Sequence, residues 1–573
     1  MLRLHLHADF FTAFGTRIPP EIKSKFQEIL RDSYLVPSLS HYLRYVIYIA
    51  PENQLSILLT IDSFLDAWKS GDYPSSFDHL HRYFDYTMQN RDRLFYQYAL
   101  LNLAMLQADF GCYKEAVDAM LEAVSTAREN RDMTCLNFSL NWLFHFGRAH
   151  PQLVSDLESN SMLGNGKDSL AFLRVKARES GMWVLWSSAL LSEAKMILSN
   201  GDSVATALEN IVRSSQLIVE RNVKSMMGAQ MSVNIALWDR LGVASLSAMT
   251  CEVFLRCHAC NSSFEDELKV TCRLAILLAS KGKYNEAFEK LEDIEPNSLR
   301  SWKANQYWQK IRGLLKLSQE LHRNNLDGAE YLLSQLLQSK TEDLEPDLIF
   351  IIDSLHVDLL IRRDDLPAAF DKVDTLLATL RDEPDRDVSI RIRLLLAKAR
   401  LLDLAGRPQR GLTVTLRAAG LAWRARLLPH LWQATAALAA VLTSLSEFAA
   451  AASILEAVIP RCLESGSDAV AGELYSRLAD AHVGAAGEQL QTQQHQQHQR
   501  AAAAGRRAES FIRAREALDE AFARFAAVGD VRGQCEMLAK AATVMRAVGD
   551  DVLAEDYAAR YLVLRKDSDM RNG

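Results

Sequence analysis

The chain has 573 residues, 49% hydrophobic and 24% charged, with 65 Lys and Arg set against 72 Asp and Glu for a formal net charge of -7. That balance lacks the basic surplus needed to displace counterions from a duplex, so nucleic acid is not an expected partner. Only 25 Gly and 13 Pro argue against an all-β chain, and 8 Cys are too sparse for a disulfide scaffold, which points to a reducing compartment.

At the amino terminus His5, His7 and Asp9 interrupt the unbroken apolar segment that a secretion signal would need, so export is not expected. No run of about 18 apolar residues occurs along the chain, and a membrane is not an expected partner either. Segments Pro20 to Asp32, Ser38 to Ile49 and Gln54 to Lys69 are patterned as helices without a repeat frame. Residues 1–90 are therefore expected to form a separate amino-terminal helical domain.

Beyond residue 90 a frame begins. Ala104 and Ala116 stand twelve apart, with Gly111 between them and Tyr113 just before the second alanine; Ala275, Gly282, Tyr284 and Ala287 repeat it. Ala399, Gly406 and Gly411, then Ala542, Gly549 and Ala554, keep it without the aromatic, and Ala439 and Ala451 keep the twelve-residue pair. Two antiparallel helices approach to roughly 8–10 Å only where the facing side chains are small. Glycine ends the first helix because a left-handed backbone costs it least, and the tyrosine covers the turn and opens the second helix.

Such a hairpin cannot bury its apolar stripe alone, so it must stack on copies of itself. Using the small residue that opens each second helix as a ruler gives Ala207, Ala248, Ala287, Ala329, Ala369, Gly411 and Ala451, spaced 39 to 42 residues apart. Leu326-Asp-Gly-Ala329 and Leu366-Pro-Ala-Ala369 are weaker forms of the same turn. A further unit fits around Leu136 to Leu157, followed by the polar loop Glu158 to Ser169, expected to be mobile. Ala514 lies 63 residues past Ala451, and the excess matches the low-complexity tract from Gln489 to about Ala504. That tract is expected as a disordered Gln/His-rich insertion at about 488–508. A period near 40 exceeds the 34 residues of a standard tetratricopeptide repeat. The turn and the alanine spacing nevertheless favour tetratricopeptide hairpins with lengthened helices. The expected fold is all-α: a helical amino-terminal segment, then a tetratricopeptide-like α–α superhelix over residues 91–573.

Reactive chemistry is sparse. Gly164-Asn-Gly-Lys167-Asp-Ser169 fails as a phosphate loop, because Ser161 stands where the first glycine belongs and Asp168 follows the lysine. Cys251, Cys257, His258, Cys260 and Cys272 lack a second spaced ligand pair, so buried thiols acting as small hydrophobes are expected rather than a metal site. His495 and His498 sit in the glutamine tract and are expected in solvated chain. Trp183, Trp186, Trp302 and Trp308 are expected in the core between repeats rather than as peptide anchors, and Arg391 and Arg393 beside Asp385 and Asp387 as a solvated face. No catalytic residue, cofactor or metal ligand is assigned, and an enzyme is not expected.

The stretch from Tyr98 to Phe144, YALLNLAMLQADFGCYKEAVDAMLEAVSTARENRDMTCLNFSLNWLF, closely resembles the subunit 5 family of the anaphase-promoting complex. SFDHLHRYFDYTM from Ser76 to Met88 resembles the lead-in to that family's repeats, and Gly181 to Lys195 and Cys272 to Leu291 continue the likeness, which is of a fungal kind. Beyond Leu401 the match is by repeat pattern alone. The resemblance implies a non-catalytic scaffold subunit of a cell-cycle ubiquitin ligase, found in nucleus and cytoplasm. Its implied neighbours are subunits 1, 4 and 15, with the catalytic cullin and RING subunits linked indirectly. The family's amino-terminal domain is longer than 90 residues, so a shortened amino terminus is expected, and the Gln/His tract has no counterpart there. The competing reading is a free-standing tetratricopeptide adaptor that grips peptide tails of client proteins, with Asn102 and Asn137 as carboxylate-holding candidates.

Overall fold

The structure is a computed structural model and describes residues 63–89, 93–150, 153, 166–295, 298–338, 346–382, 387–495 and 500–572. Among these residues every regular element is a helix. The helices pack in chain order as hairpins. Arg93–Asp109 pairs with Tyr113–Glu129, Trp183–Asn200 with Val204–Glu220, Met227–Arg240 with Ala244–Cys257, and Phe264–Ser280 with Tyr284–Glu292. Trp302–His322 pairs with Leu326–Gln338, Pro346–Arg362 with Leu366–Asp382, and Val388–Leu404 with Leu412–Arg424. Leu428–Ser444 pairs with Phe448–Ser465, Asp468–His495 with Arg500–Val528, and Val531–Val548 with Asp551–Asn572. First helices of successive hairpins also touch one another, which places them in an inner layer with the second helices outside. This is the α–α superhelix expected from the sequence.

One turn chemistry joins the helices. Gly111 is left-handed (φ +81°), the Cys112 N–H donates to the Gln107 carbonyl at 2.9 Å, and a new helix starts at Tyr113. Gly282 (φ +78°) repeats it, with the Lys283 N–H on the Leu278 carbonyl at 3.1 Å. In each case the bond satisfies a carbonyl that the ending helix leaves orphaned. Asn324 (φ +61°), Asp364 (φ +65°) and Ser446 (φ +65°) fill the same slot five residues before Ala329, Ala369 and Ala451, as Gly111 and Gly282 do before Ala116 and Ala287. Short polar side chains tolerate the left-handed region well enough to serve. The hairpins therefore continue where the sequence offers no glycine.

The frame also begins earlier than residue 90. Gly71 (φ +84°) separates a helix over 63–70 from Tyr73–Gln89, and Ser76, five residues on, is fully buried. A serine in the small position hid this unit from a ruler built on alanine. Ser247, five after Gly242 and fully buried, likewise takes the position assigned to Ala248, which is only partly buried. The segments Pro20 to Asp32 and Ser38 to Ile49 lie outside the described residues.

Small residues sit where helices cross. Ala104, Ala116, Ala275, Ala287, Ala329, Ala369, Ala439 and Ala451 are all 0% exposed. Ala275 and Ala287 share one cluster with Leu268, Cys272, Tyr284 and Leu291, and Ala439 and Ala451 share another with Trp432, Leu455 and Ala479. Ala104 packs with Tyr98, Leu101, Met120 and Ala123. Ala369 packs with Val357, Ile361 and Val373. A methyl side chain at each crossing lets neighbouring Leu, Ile and Val fill the space at near-crystalline density.

The stretch expected as a disordered insertion is helical in its described parts. The inner helix reaches His495 and the next begins at Arg500, so the tract lengthens one hairpin instead of interrupting it; His498 lies outside the described residues. Alanine-rich sequence from Ala501 to Ala504 favours helix once the pair gives it a surface to lie on. Of the stretch Glu158 to Ser169, expected as a polar loop, residues 166–169 are helical, because a helix begins at Gly166, and residues 158–165 lie outside the described residues.

Candidate interaction surface

Tyr113 does not merely cover its turn. Its ring stands 5.9 Å from Phe146 and 4.1 Å from His150, joining its hairpin to the helix Met133–Ala149. Tyr284 shares hydrogen bonds with His322 Nδ1 at 2.8 Å and Ser318 Oγ at 3.2 Å on the next inner helix. Both tyrosines fix hairpin to hairpin.

Of the four tryptophans, Trp308 donates Nε1–H to the Leu291 carbonyl at 3.0 Å, and Trp183 lies 4.1 Å beneath the Arg221 guanidinium. Trp186 has Arg178 5.6 Å from its ring. Trp302 serves a different purpose: it stacks on Phe110 with centroids 5.6 Å apart and packs over Gly71. Beside it Lys303 pairs with Asp109 at 2.5 Å, and Asp109 accepts from Trp68 Nε1 at 2.9 Å. Residues near 70 and 110 thus meet residue 302, which requires the superhelix to complete a coil and touch itself.

Contacts between coils recur. The Gly201 turn lies against Val388 and Ala425, the Gly242 turn against Pro429 and Trp432, and the Gly282 turn against the backbone of Ala527 and Val528. Arg240 donates to the Leu198 carbonyl at 2.9 Å and pairs with Asp387. Arg362 donates to the Leu321 carbonyl at 2.9 Å and pairs with Asp530 at 3.2 Å. In every case the carboxyl edge of an inner helix meets the chain entering an inner helix one coil later.

The inner layer between these seams is charged and self-paired. Arg273 pairs with Asp239, Arg400 with Asp358 at 3.4 Å, Arg477 with Asp403 at 2.5 Å and Lys540 with Asp480 at 2.9 Å. Burial pushes the Arg240 and Arg393 guanidinium groups below their ordinary value, with Asp347 and Asp239 opposing this at Arg240 and Asp358 and Asp239 at Arg393. The solvated face expected at Arg391, Arg393 and Asp387 is corrected accordingly. Arg391 is exposed, but Arg393 stacks 4.9 Å from the Phe350 ring, and Asp387 both binds Arg240 and accepts from the Ser389 N–H at 2.8 Å. Asp385 lies outside the described residues. Asn137, an adaptor candidate, is 2% exposed with its amide directed at Met182 Sδ, 3.7 Å away, and Asn102 is half-buried and already engaged.

Two inner-layer histidines carry a pH signature. Burial holds the His145 and His430 imidazoles down at about 4, each ring within reach of a serine hydroxyl: Ser192 at 3.2 Å and Ser389 at 3.0 Å. A depressed imidazole is neutral in the fold, so the stability it lends is present above the ordinary value near 6.5 and is lost as pH falls from there toward about 4. The drop in Tm between about pH 7 and about pH 5 should therefore shrink in a His145→Gln, His430→Gln variant relative to the parent chain. A drop of unchanged size would mean that both rings titrate in the fold as they do in the unfolded chain.

The cysteine cluster is dispersed. Cys251 and Cys272 are fully buried in separate apolar clusters, with burial pushing each thiol up to about 12, whereas Cys257 and Cys260 are exposed. Iodoacetamide at neutral pH should label Cys257 and Cys260 in the native chain and spare Cys251 and Cys272 until denaturant is added, as peptide mass spectrometry would read. Among the described residues no His, Cys, Asp and Glu group of three or more is placed to hold a metal, and no helix is long and apolar enough to cross a membrane. What the molecule presents is surface. Its outer helices expose Phe172, Val175, Leu208, Val212, Met249 and Val253, flanked by the i,i+4 pairs Glu209–Arg213 and Glu252–Arg256.

Residues 61–150, the first hairpins of the coil, match the family model of anaphase-promoting complex subunit 5. The chain is similar to anaphase-promoting complex subunit 5. It is 28% identical over 376 residues to the Schizosaccharomyces pombe subunit 5, an alignment covering 65% of this chain and 46% of that protein. The Homo sapiens subunit 5 is 24% identical over 214 residues, covering 35% of this chain and 27% of that one. The chain thus spans about half or less of the length of the subunit 5 proteins it matches. Among solved structures, yeast Tom70 aligns over 90% of this chain at 14% identity with a TM-score of 0.27, too low to argue from. The family match spans Ala104, Gly111, Tyr113 and Ala116, the positions that build the hairpin of Arg93–Asp109 and Tyr113–Glu129.

Proposed function

We propose that this chain is a non-catalytic scaffold component of an anaphase-promoting complex, a multisubunit ubiquitin ligase acting in cell division in nucleus and cytoplasm. The observation that carries the reading is the match over residues 61–150, set in a superhelix of paired helices among the described residues. A solenoid supplies a large, shape-specific surface without any catalytic constellation, which is what holding other subunits demands. In the inner layer Arg273, Arg400 and Arg477 are engaged with Asp239, Asp358 and Asp403, pairs that act as structure. Its partners in this reading are subunits 1, 4 and 15, through which it would link the platform to the catalytic cullin and RING subunits.

Affinity purification of the tagged chain from dividing cells, read by mass spectrometry, tests this. The expected outcome is co-purification of several subunits of the complex, with 1, 4 and 15 most abundant. Recovery of the chain free of every one of them would overturn the proposal.

A further inference from the structure

Arg240 and Arg362 occupy equivalent places. Each is the last residue of an inner helix, Met227–Arg240 and Pro346–Arg362. Each donates to a carbonyl at the end of the preceding inner helix, Leu198 or Leu321. Each then reaches an aspartate at the N-cap of an inner helix one coil later: Asp387 ahead of Val388–Leu404 and Asp530 ahead of Val531–Val548. All four side chains are 22% exposed or less, so solvent screens them little. One guanidinium therefore ties three elements, two neighbours in one coil and one in the next, and the arrangement occurs twice. The neighbouring Gly201, Gly242 and Gly282 turns lie close against the next coil.

We propose that Arg240–Asp387 and Arg362–Asp530 are latches that hold the superhelix contracted, coil against coil, and that releasing them lets it lengthen without unfolding its hairpins. Hairpin cores lie within and between adjacent hairpins, whereas coil-to-coil contact rests on these pairs, on Lys303–Asp109 and Trp302–Phe110, on Ser568 and Arg532 donating to the Arg323 and Ile361 carbonyls, and on the close-set turns. The plane between coils thus lies outside these apolar cores, and the latches cross it. A partner that competes for either aspartate would change the length of the scaffold. The inference concerns the coil itself and does not rest on the family reading.

The test compares the full chain with Asp387→Asn, Asp530→Asn, which removes the charge yet keeps an acceptor for the helix N-terminus, and with Arg240→Met, Arg362→Met. Arg213→Ala, which breaks an exposed pair within one outer helix, is the control. Small-angle scattering should show a larger radius of gyration for both latch variants, with far-UV dichroism unchanged. Amide exchange at residues 387–390 and 527–534 should rise roughly tenfold or more, because a buried charge that loses its partner favours local opening. Should the arginine variant fail to fold, the asparagine variant decides alone. The proposal is overturned by an unchanged radius and unchanged exchange, or by an expansion that comes with loss of helicity, which would make the pairs ordinary supports of the hairpins.

Discussion

Gly282→Ala is expected to destabilise the chain by about 2–5 kcal/mol, the sum of about 1–2 for forcing an L side chain into the left-handed region and about 1–3 for overpacking. Its φ of +78° supplies the first part. The second arises because a Cβ there would overlap the carbonyl oxygen of Ala527 in the next coil. Backbone cannot swing aside as a flexible side chain would. Gly549, with φ +91° and nothing within 4 Å of where a Cβ would stand, is the control. Gly549→Ala should lose only the conformational part, about 1–2 kcal/mol. Urea unfolding of the two variants side by side gives the difference, and equal losses would mean that the coils do not touch at that turn.

Ala116→Trp is the second large effect. Ala116 is fully buried in the helix Tyr113–Glu129, which packs along Arg93–Asp109. An indole at that crossing has to push the helices apart or leave its rotamer, which costs about 1–3 kcal/mol and more where neighbours cannot give way. Its flanks, Val117, Ala119 and Met120, are themselves buried, so relief by small shifts is limited. Lys114→Trp, two residues away on the exposed side, should stay within about 0.5 kcal/mol of the parent. Thermal unfolding of both variants separates them, and a neutral Ala116→Trp would count against close helix pairing at this turn.

The hairpins were legible because one physical constraint repeats along the chain. A short turn needs a left-handed residue, and the crossing five residues later needs a small one, so Gly111 with Ala116 and Gly282 with Ala287 announce themselves. Where Asn324, Asp364 or Ser446 fills the turn, or Ser76 and Ser247 the crossing, the same geometry hides behind residue types that are common everywhere. The Gln/His tract misled for the opposite reason. Composition reports what a segment prefers in isolation, while the helices reaching His495 and beginning at Arg500 gain a packed partner that the composition does not describe.

The candidate surface was less legible. Nothing local marks Asp387 or Asp530 as more than a helix cap, and nothing in the spacing of Arg240 or Arg362 names a partner 147 or 168 residues away. Trp302 read as an ordinary core aromatic, since its stacking partner Phe110 belongs to a different coil.

The sequence by itself determined the helices, the turns between them and the need to stack, because each follows from contacts among residues within about forty positions of one another. Only the tertiary structure decided how tightly the superhelix winds. That winding is the accumulated sum of small rotations from hairpin to hairpin. Which arginine meets which aspartate, and which glycine has backbone pressed against it, is fixed when a full coil closes on the next.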